Sequence, residues 1–403
     1  MEMNLAETKD FASLRDFLRR HLLENVMPFW TRHALDPAGG INTCIRDDGT
    51  LVSRDKWMWS QWRAVWVFSK FYSDLEPRRE WLSAAEGIYR FARDHGWGSK
   101  GKGCALVVSA DGQVLRDHES LYVDAFAIYG LCAYARAAGS EEAADLARRS
   151  ADYALDVLQR PHDRIPHWPY PVPPGARVHG LPMIFSLVLW EAGQFLDEDR
   201  YRQAALELSD EVFQRFYRPD RDLVLERIAA DGGEYPPPLG TAVVPGHVVE
   251  DMWFQIHVAR EAGGLDDRIT EAAQLTVRHV ELGWDDVFGG LLLAVDADGH
   301  DEVGWEFADT KLWWPHTEAL YALLLAYEQD PRDEFLHWYD KVHEYSFAHY
   351  PVAGHGEWAQ KLDRRGRPFQ QTVALPVKDP FHLPRALFHC IKVLGRLAGG
   401  GGE

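Results

Sequence analysis

Two histidines in this chain stand beside prolines at the start of apolar runs: His247 in VVPGHVVEDMWF (residues 243–254) and His382 in DPFHLPR (residues 379–385). Imidazole is the side chain that exchanges a proton near neutral pH, so such positions are where acid–base chemistry is first sought. Glu250 follows His247 by three residues, and Arg385 follows His382 by three. On a helix that spacing shares a face, which places Glu250 to fix the His247 tautomer and raise its basicity. Two further charges interrupt apolar runs, Arg63 in SQWRAVW and Glu318 in WWPHTEAL. A charge in such a run must meet a partner or face a cavity. Arg63 and Arg385 are suited to holding a carbonyl or enediolate oxygen. The alternative for both is a buried pair with Glu250 or Glu318.

The elements that carry these residues alternate along the chain. Amphipathic segments with one charged face run over 11–26, 78–94, 141–159, 200–216, 266–282 and 333–347. Between them lie segments apolar nearly all round, at 57–72, 121–135, 181–195, 248–259, 312–327 and 384–397. A helix apolar on every side is buried on every side. The near-constant spacing of the second kind marks a repeat of six helical pairs. Neither end carries a polar capping repeat, so the pattern predicts a closed, all-α (α/α)6 barrel. The long linkers hold Asp48-Gly49, Asp111-Gly112, Asp231-Gly232, Asp298-Gly299 and Arg365-Gly366, which predict short two-residue β-hairpins at one mouth. The third linker, RIPHWPYPVPPGARVHG, breaks that pattern. One domain is expected over 1–397, with a floppy Gly-rich tail at 398–403.

In that barrel the mouth histidines face each other across a cavity, the geometry for removing a proton from one face of a carbon and returning one to the other. Trp57, Trp59, Trp253, Trp313 and Trp314 belong to the core, and near the mouth they could also stack on the apolar face of a sugar ring.

The net charge of -19 over 403 residues argues against nucleic acid or an anionic membrane as the main partner, both of which need clustered Lys and Arg. A small-molecule ligand fits better. Cys44, Cys104, Cys132 and Cys390 are far apart and form no C-x-x-C pair, which points to reduced thiols in a cytoplasmic protein. The N-terminal stretch MEMNLAETKDFASLRDFL is too charged for a secretory signal, and no apolar run is long enough to span a bilayer.

The segments KWMWSQWRAVWVFSKFY (56–72), VPGHVVEDMWF (244–254), KLWWPHTEAL (311–320), GEWAQKLDRRG (356–366) and DPFHLPR (379–385) together resemble the N-acylglucosamine 2-epimerase superfamily of (α/α)6 barrels. The resemblance implies a cofactor-independent, metal-free isomerase of free sugars. It opens the ring, removes the C2 proton to give a cis-enediolate, and reprotonates at C2 for an epimer or at C1 for a ketose. His247 and His382 match the acid–base histidines, Arg63 and Arg385 the arginines near the substrate oxygens, and Glu250 and Glu318 the supporting carboxylates. Trp59, Trp253 and Trp314 are expected at the substrate, and a homodimer is what the family suggests. The third inner segment, LPMIFSLVLWEAG, lacks the histidine that the cellobiose-epimerase and mannose-isomerase branches carry. Either the substrate is an N-acyl sugar or His179 stands in.

Other signals weigh less. GWGSKGKG (96–103) imitates a phosphate loop, but glycine follows its lysine and a helix precedes it where a strand is needed. Nucleotide hydrolysis is set aside, although some family members are activated by nucleotide, which leaves an effector open. His162, His167 and His179 are too irregularly spaced for a metal site. A glycoside hydrolase on the same barrel would use Glu119, Asp124, Glu250 or Asp251, and leaves the two histidines unexplained.

Overall fold

The structure, a computed structural model, describes residues 4–373 and 375–399; residues 400–403 of the expected tail lie outside the described residues. Six inner helices form a ring: the first is Met58–Asp74, the second Leu121–Ala138, the third Gly180–Leu196, the fourth Pro245–Ala262, the fifth Trp313–Gln329 and the sixth His382–Leu397. Each inner helix touches the next, and the sixth touches the first. The chain is therefore a closed (α/α)6 barrel. The outer layer comprises Arg79–His95, Glu141–Leu158, Asp266–Gly283 and Asp333–His349, plus two helices, Phe11–Arg20 and Asp199–Glu211, that each run on into a π-helical turn. The apolar-all-round signal has the expected cause. The fifth inner helix is buried at every residue from Pro315 to Ala326, with one side in the ring and the other under the outer layer.

Two inner helices begin earlier than the hydrophobic pattern indicates, at Pro245 instead of Val248 and at His382 instead of Pro384. The first turn of a helix has no intrahelical partner for its N–H groups, so proline costs nothing there and a polar side chain can ride on it. Both histidines thus sit inside the first turn and move with the helix.

Short strands fix those first turns. The two or three residues just before an inner helix pair antiparallel with a strand from the next linker: Lys56–Trp57 with Val107–Val108, Ala176–Val178 with Arg227–Ala229, Ala242–Val243 with Val295–Asp296, and Lys311–Leu312 with Lys361–Leu362. Each repeat is thereby stitched to its neighbour around one mouth. Lys56 and Lys311, both wholly buried, occupy equivalent places and donate to linker aspartates, Asp36 at 2.8 Å and Asp285 at 3.0 Å.

The linker turns depart from the two-residue form. Arg46, Ser109, Ala229 and Asp363 each donate N–H to the carbonyl four residues on, closing three-residue loops that end in glycine. Gly49, Gly112, Gly232 and Gly366 there have φ between 80° and 92°, so glycine in these dipeptides closes the turn in the left-handed region. Cys44, Cys104, Cys132 and Cys390 are buried free thiols. No helix of the described residues is long and apolar enough to cross a membrane.

The first and second inner helices meet at Gly130, where an added Cβ would stand 2.5 Å from the Trp62 carbonyl oxygen, one residue before Arg63. Gly130→Ala must push the two helices apart and should cost about 1–3 kcal/mol in denaturant unfolding. Gly395→Ala, at a helical position with nothing within 4 Å of the new Cβ, should be neutral or stabilising by up to about 1 kcal/mol.

Candidate active site

The mouth of the ring opens into a cavity of about 230 Å³. Its wall takes in His247, His382, Arg63, Glu250, Trp59 and Trp314 among the residues singled out from sequence. Glu318, Arg385 and Trp253 are not in that wall; they lie behind it.

His247 and His382 do not confront each other across the barrel. They stand on the fourth and sixth inner helices, either side of the fifth, and both lean on its Trp314. The His247 ring stacks on that indole at 5.3 Å and 27°, and the His382 ring lies at 5.7 Å and 38°. One indole therefore fixes the spacing of both imidazoles.

Glu250 is not the partner of His247. The His247 Nδ1 lies 3.1 Å and 3.2 Å from the two carboxylate oxygens of Glu226, a residue in the linker between Leu223–Val224 and Arg227–Ala229. The i, i+3 reading failed because Glu250 meets Arg385 of the sixth inner helix instead. Glu226 could have been noticed in LVLERIA as a carboxylate inside a strand-like apolar run. Burial works against a charged His247, but Glu226 outweighs it and raises the imidazole above its ordinary value. The same pairing holds Glu226 well below the usual carboxylate range in spite of its own burial.

His382 has the opposite setting. Its Nδ1 donates to Glu318 Oε1 at 2.7 Å, because an ionised carboxylate can only accept, and this leaves the Nε2 lone pair free. Glu250 Oε1 stands 3.9 Å from the same Nδ1. Burial pushes His382 down to about 3; Glu250 and Asp379 oppose that, while Arg63 and Arg385 add to it.

Arg385 was expected at the substrate oxygens. It is 1% exposed, and its Nη2 donates to Glu318 Oε1 at 2.8 Å and to Glu250 Oε1. Its guanidinium lies over the Phe381 ring, 4.2 Å from the centroid. Glu250, Glu318 and His382 converge closely enough to hold a metal ion, but the cation among them is this guanidinium. Trp253, also expected at the ligand, is fully buried and donates Nε1 to Glu318 Oε2 at 2.8 Å. Glu318, Arg385 and Trp253 thus support the cavity wall from behind.

Arg63 does reach the cavity. Its Nη1 donates to Asp379 Oδ1 at 3.3 Å, its guanidinium lies 3.9 Å from the Phe126 centroid, and its Nε has no partner among the described residues. Asp379 is itself clamped by Gln360, which accepts its N–H at 2.9 Å and donates to its carbonyl at 3.1 Å. Trp59 and Trp313 join the wall, whereas Trp57 packs into the core against Trp168.

The remaining candidates disperse. His179 is wholly buried on Asp251 at 2.7 Å and cannot stand in at the cavity; His162 accepts from the Val178 amide; His167 meets the Tyr122 hydroxyl at 3.3 Å. The hydrolase acids fare no better. Asp124 is buried on His118, Glu119 pairs with Arg116, and Glu250 is held by Arg385. The GWGSKGKG loop lines a surface cleft that shares no residue with the barrel cavity.

Comparisons with known proteins bear on the family and the fold. A family model described as N-acylglucosamine 2-epimerase (GlcNAc 2-epimerase) matches residues 39–386. The N-acylglucosamine 2-epimerase of Mus musculus is 30% identical over 397 residues, covering 93% of this chain and 90% of the mouse protein. The solved structure of cellobiose 2-epimerase from Spirochaeta thermophila superposes with a TM-score of 0.82 at 21% identity, covering 97% of this chain and 99% of that one. A D-mannose isomerase structure superposes at 0.77 with 18% identity, over 96% and 98% of the two chains. At such identities these two structures speak for the fold.

Replacing Arg385 by Met would leave Glu250 and Glu318 buried without a cation. A loss of about 3–5 kcal/mol in denaturant unfolding is expected. Adding Glu250→Gln and Glu318→Gln to that variant should recover part of it, because neutral amides are cheaper to bury than unpaired carboxylates.

Proposed function

The chain belongs to the N-acylglucosamine 2-epimerase family of sugar isomerases, and on that premise we propose that its cavity inverts carbon 2 of a free N-acylglucosamine, using His382 and His247 as the proton-transfer pair. One observation carries the reading. Two cavity imidazoles, braced on one tryptophan, are biased toward opposite protonation states, His247 by its carboxylate Glu226 and His382 by burial.

His382, neutral with a free Nε2, removes the C2 proton of the open-chain sugar. The electron pair passes into the adjoining carbonyl and gives an enolate oxygen on C1, whose charge the Arg63 guanidinium at the cavity wall stabilises. His247, protonated through Glu226, returns a proton to C2 from the other face. For the opposite epimer the two exchange roles. Glu318 and Arg385 serve as positioning residues that keep the His382 tautomer and ring fixed.

The test is incubation with N-acetylglucosamine in D2O, followed by proton NMR. Loss of the H2 signal and appearance of N-acetylmannosamine deuterated at C2 are expected. Deuterium at C1 with a ketose accumulating would mean aldose–ketose isomerisation. No exchange in any free sugar, with reducing ends released from an oligosaccharide, would mean a hydrolase. Loss of either imidazole in His247→Ala or His382→Ala should lower kcat by about 10²–10⁴-fold.

The pH dependence follows from the two settings. The kcat/KM profile should be bell-shaped, with an acid limb where His382 gains its proton and a basic limb where His247 loses its own. Glu226→Gln removes the charge that raises His247, so the basic limb should move to lower pH while the acid limb stays in place.

A further inference from the structure

The charges on the cavity wall do not cancel. Three carboxylates line it among the described residues, and each is answered: Glu226 by His247 at 3.1 Å, Asp379 by Arg63 at 3.3 Å, and Glu250 by Arg385 from behind the wall. Two further cations line the same cavity, Arg227 and Lys361. Neither has a carboxylate within 4.0 Å or a side-chain hydrogen bond among the described residues.

Both cations are placed by something other than an acid. Arg227 opens the strand Arg227–Ala229, which pairs with Ala176–Val178, and its guanidinium lies over the Trp305 ring, 4.8 Å from the centroid. Its N–H donors remain available to a ligand. Lys361 is paired across the strands with Leu312, beside Trp313 of the wall. Burial pushes its ammonium below the ordinary lysine value and Lys378 adds to that, while Asp47, which opposes it, is itself bound to Lys378 at 2.8 Å.

A cation partly withdrawn from water without a partner is costly to keep. The hydroxyls of a neutral sugar can accept from it but leave its charge unanswered, whereas an anionic group satisfies both donor and charge. The net charge of -19 gives the chain no general attraction for anions, so a preference for one must come from these local groups, within the Debye length of about 8 Å at physiological salt. Carbons 1 and 2 of the sugar react. The charge must therefore sit elsewhere on the chain, and carbon 6 is the end farthest from the reacting atoms.

We propose that Arg227 and Lys361 make the cavity selective for a sugar bearing an anionic group at carbon 6, a carboxylate or a phosphate ester, so that the preferred substrate is an acidic relative of N-acylglucosamine. This selectivity rests on the C2 epimerase reading above.

The experiment measures kcat/KM by deuterium wash-in at C2 for N-acetylglucosamine, its 6-phosphate and its carbon-6 carboxylate, N-acetylglucosaminuronic acid. At least one anionic sugar should exceed the neutral one by about tenfold or more, mainly through KM, and the better of the two identifies the anion. Raising the ionic strength should shrink that ratio. Lys361→Met and Arg227→Met should each bring the ratio of anionic to neutral sugar toward one. The wild-type series and its salt dependence need no variant, so a substitution that fails to fold does not remove the test. A neutral sugar exchanging as well as both anionic ones, or a ratio that neither variant moves, would overturn the anion selectivity while leaving C2 exchange and the epimerase reading intact. Absence of C2 exchange in every sugar would overturn both.

Discussion

The Arg385 guanidinium, buried between Glu250 and Glu318, is the interaction on which the rest of the site depends. It ties the sixth inner helix to the fourth and fifth by pairing with a carboxylate on each. A buried carboxylate without such a partner would take up a proton instead of staying ionised. Glu318 engages Nδ1 of His382 at 2.7 Å and leaves the other ring nitrogen outside that bond. Arg63 and Asp379 extend the cluster to the cavity surface. His382 lies among all of these groups: Glu250 and Asp379 oppose the burial that disfavours its charged form, and Arg63 and Arg385 add to it.

His247 works from the other side of the same balance. Its carboxylate, Glu226, accepts no hydrogen bond from an arginine among the described residues and serves the imidazole directly, so the pair is neutral when the histidine carries its proton. The carboxylate of His382 is shared with a guanidinium, so the imidazole receives orientation with less charge stabilisation. Two histidines on one cavity are thereby given opposite leanings, His247 raised by its carboxylate and His382 lowered by burial.

The sequence made the architecture legible because the barrel demands an unusual pattern: helices apolar on every side, in alternation with amphipathic ones, cannot be satisfied by a surface layer. The site was legible for a related reason. On helices so uniformly apolar, Arg63, His247, Glu250, Glu318, His382 and Arg385 stood out individually. What the pattern could not convey is which charge meets which. Helical spacing favoured Glu250 as the partner of His247, whereas the true partner, Glu226, arrives from a linker through a strand pairing with Ala176–Val178 that no local periodicity encodes. Likewise Arg385 and Trp253 carry the residue types of a substrate wall, yet both turn to Glu318, because a buried carboxylate claims the nearest strong donors before a ligand can.

The strand stitching explains how such pairings hold their geometry. The residues before four of the six inner helices are bonded to the following linker, so each of those helices is anchored at the cavity end by its own neighbour in the ring. Ala242–Val243 pairs with Val295–Asp296 and thereby sets the Pro245 corner and the height of His247. Lys311–Leu312 pairs with Lys361–Leu362 and sets Trp314, on which both imidazoles lean. The last linker also supplies Gln360, whose side chain clamps the backbone of Asp379 and so fixes the entry to the helix that starts at His382. Both imidazoles and the indole they lean on are thus positioned by consecutive linkers. A displacement of one repeat would reach the two histidines through hydrogen-bonded backbone, and packing of the helices would have little freedom to absorb it.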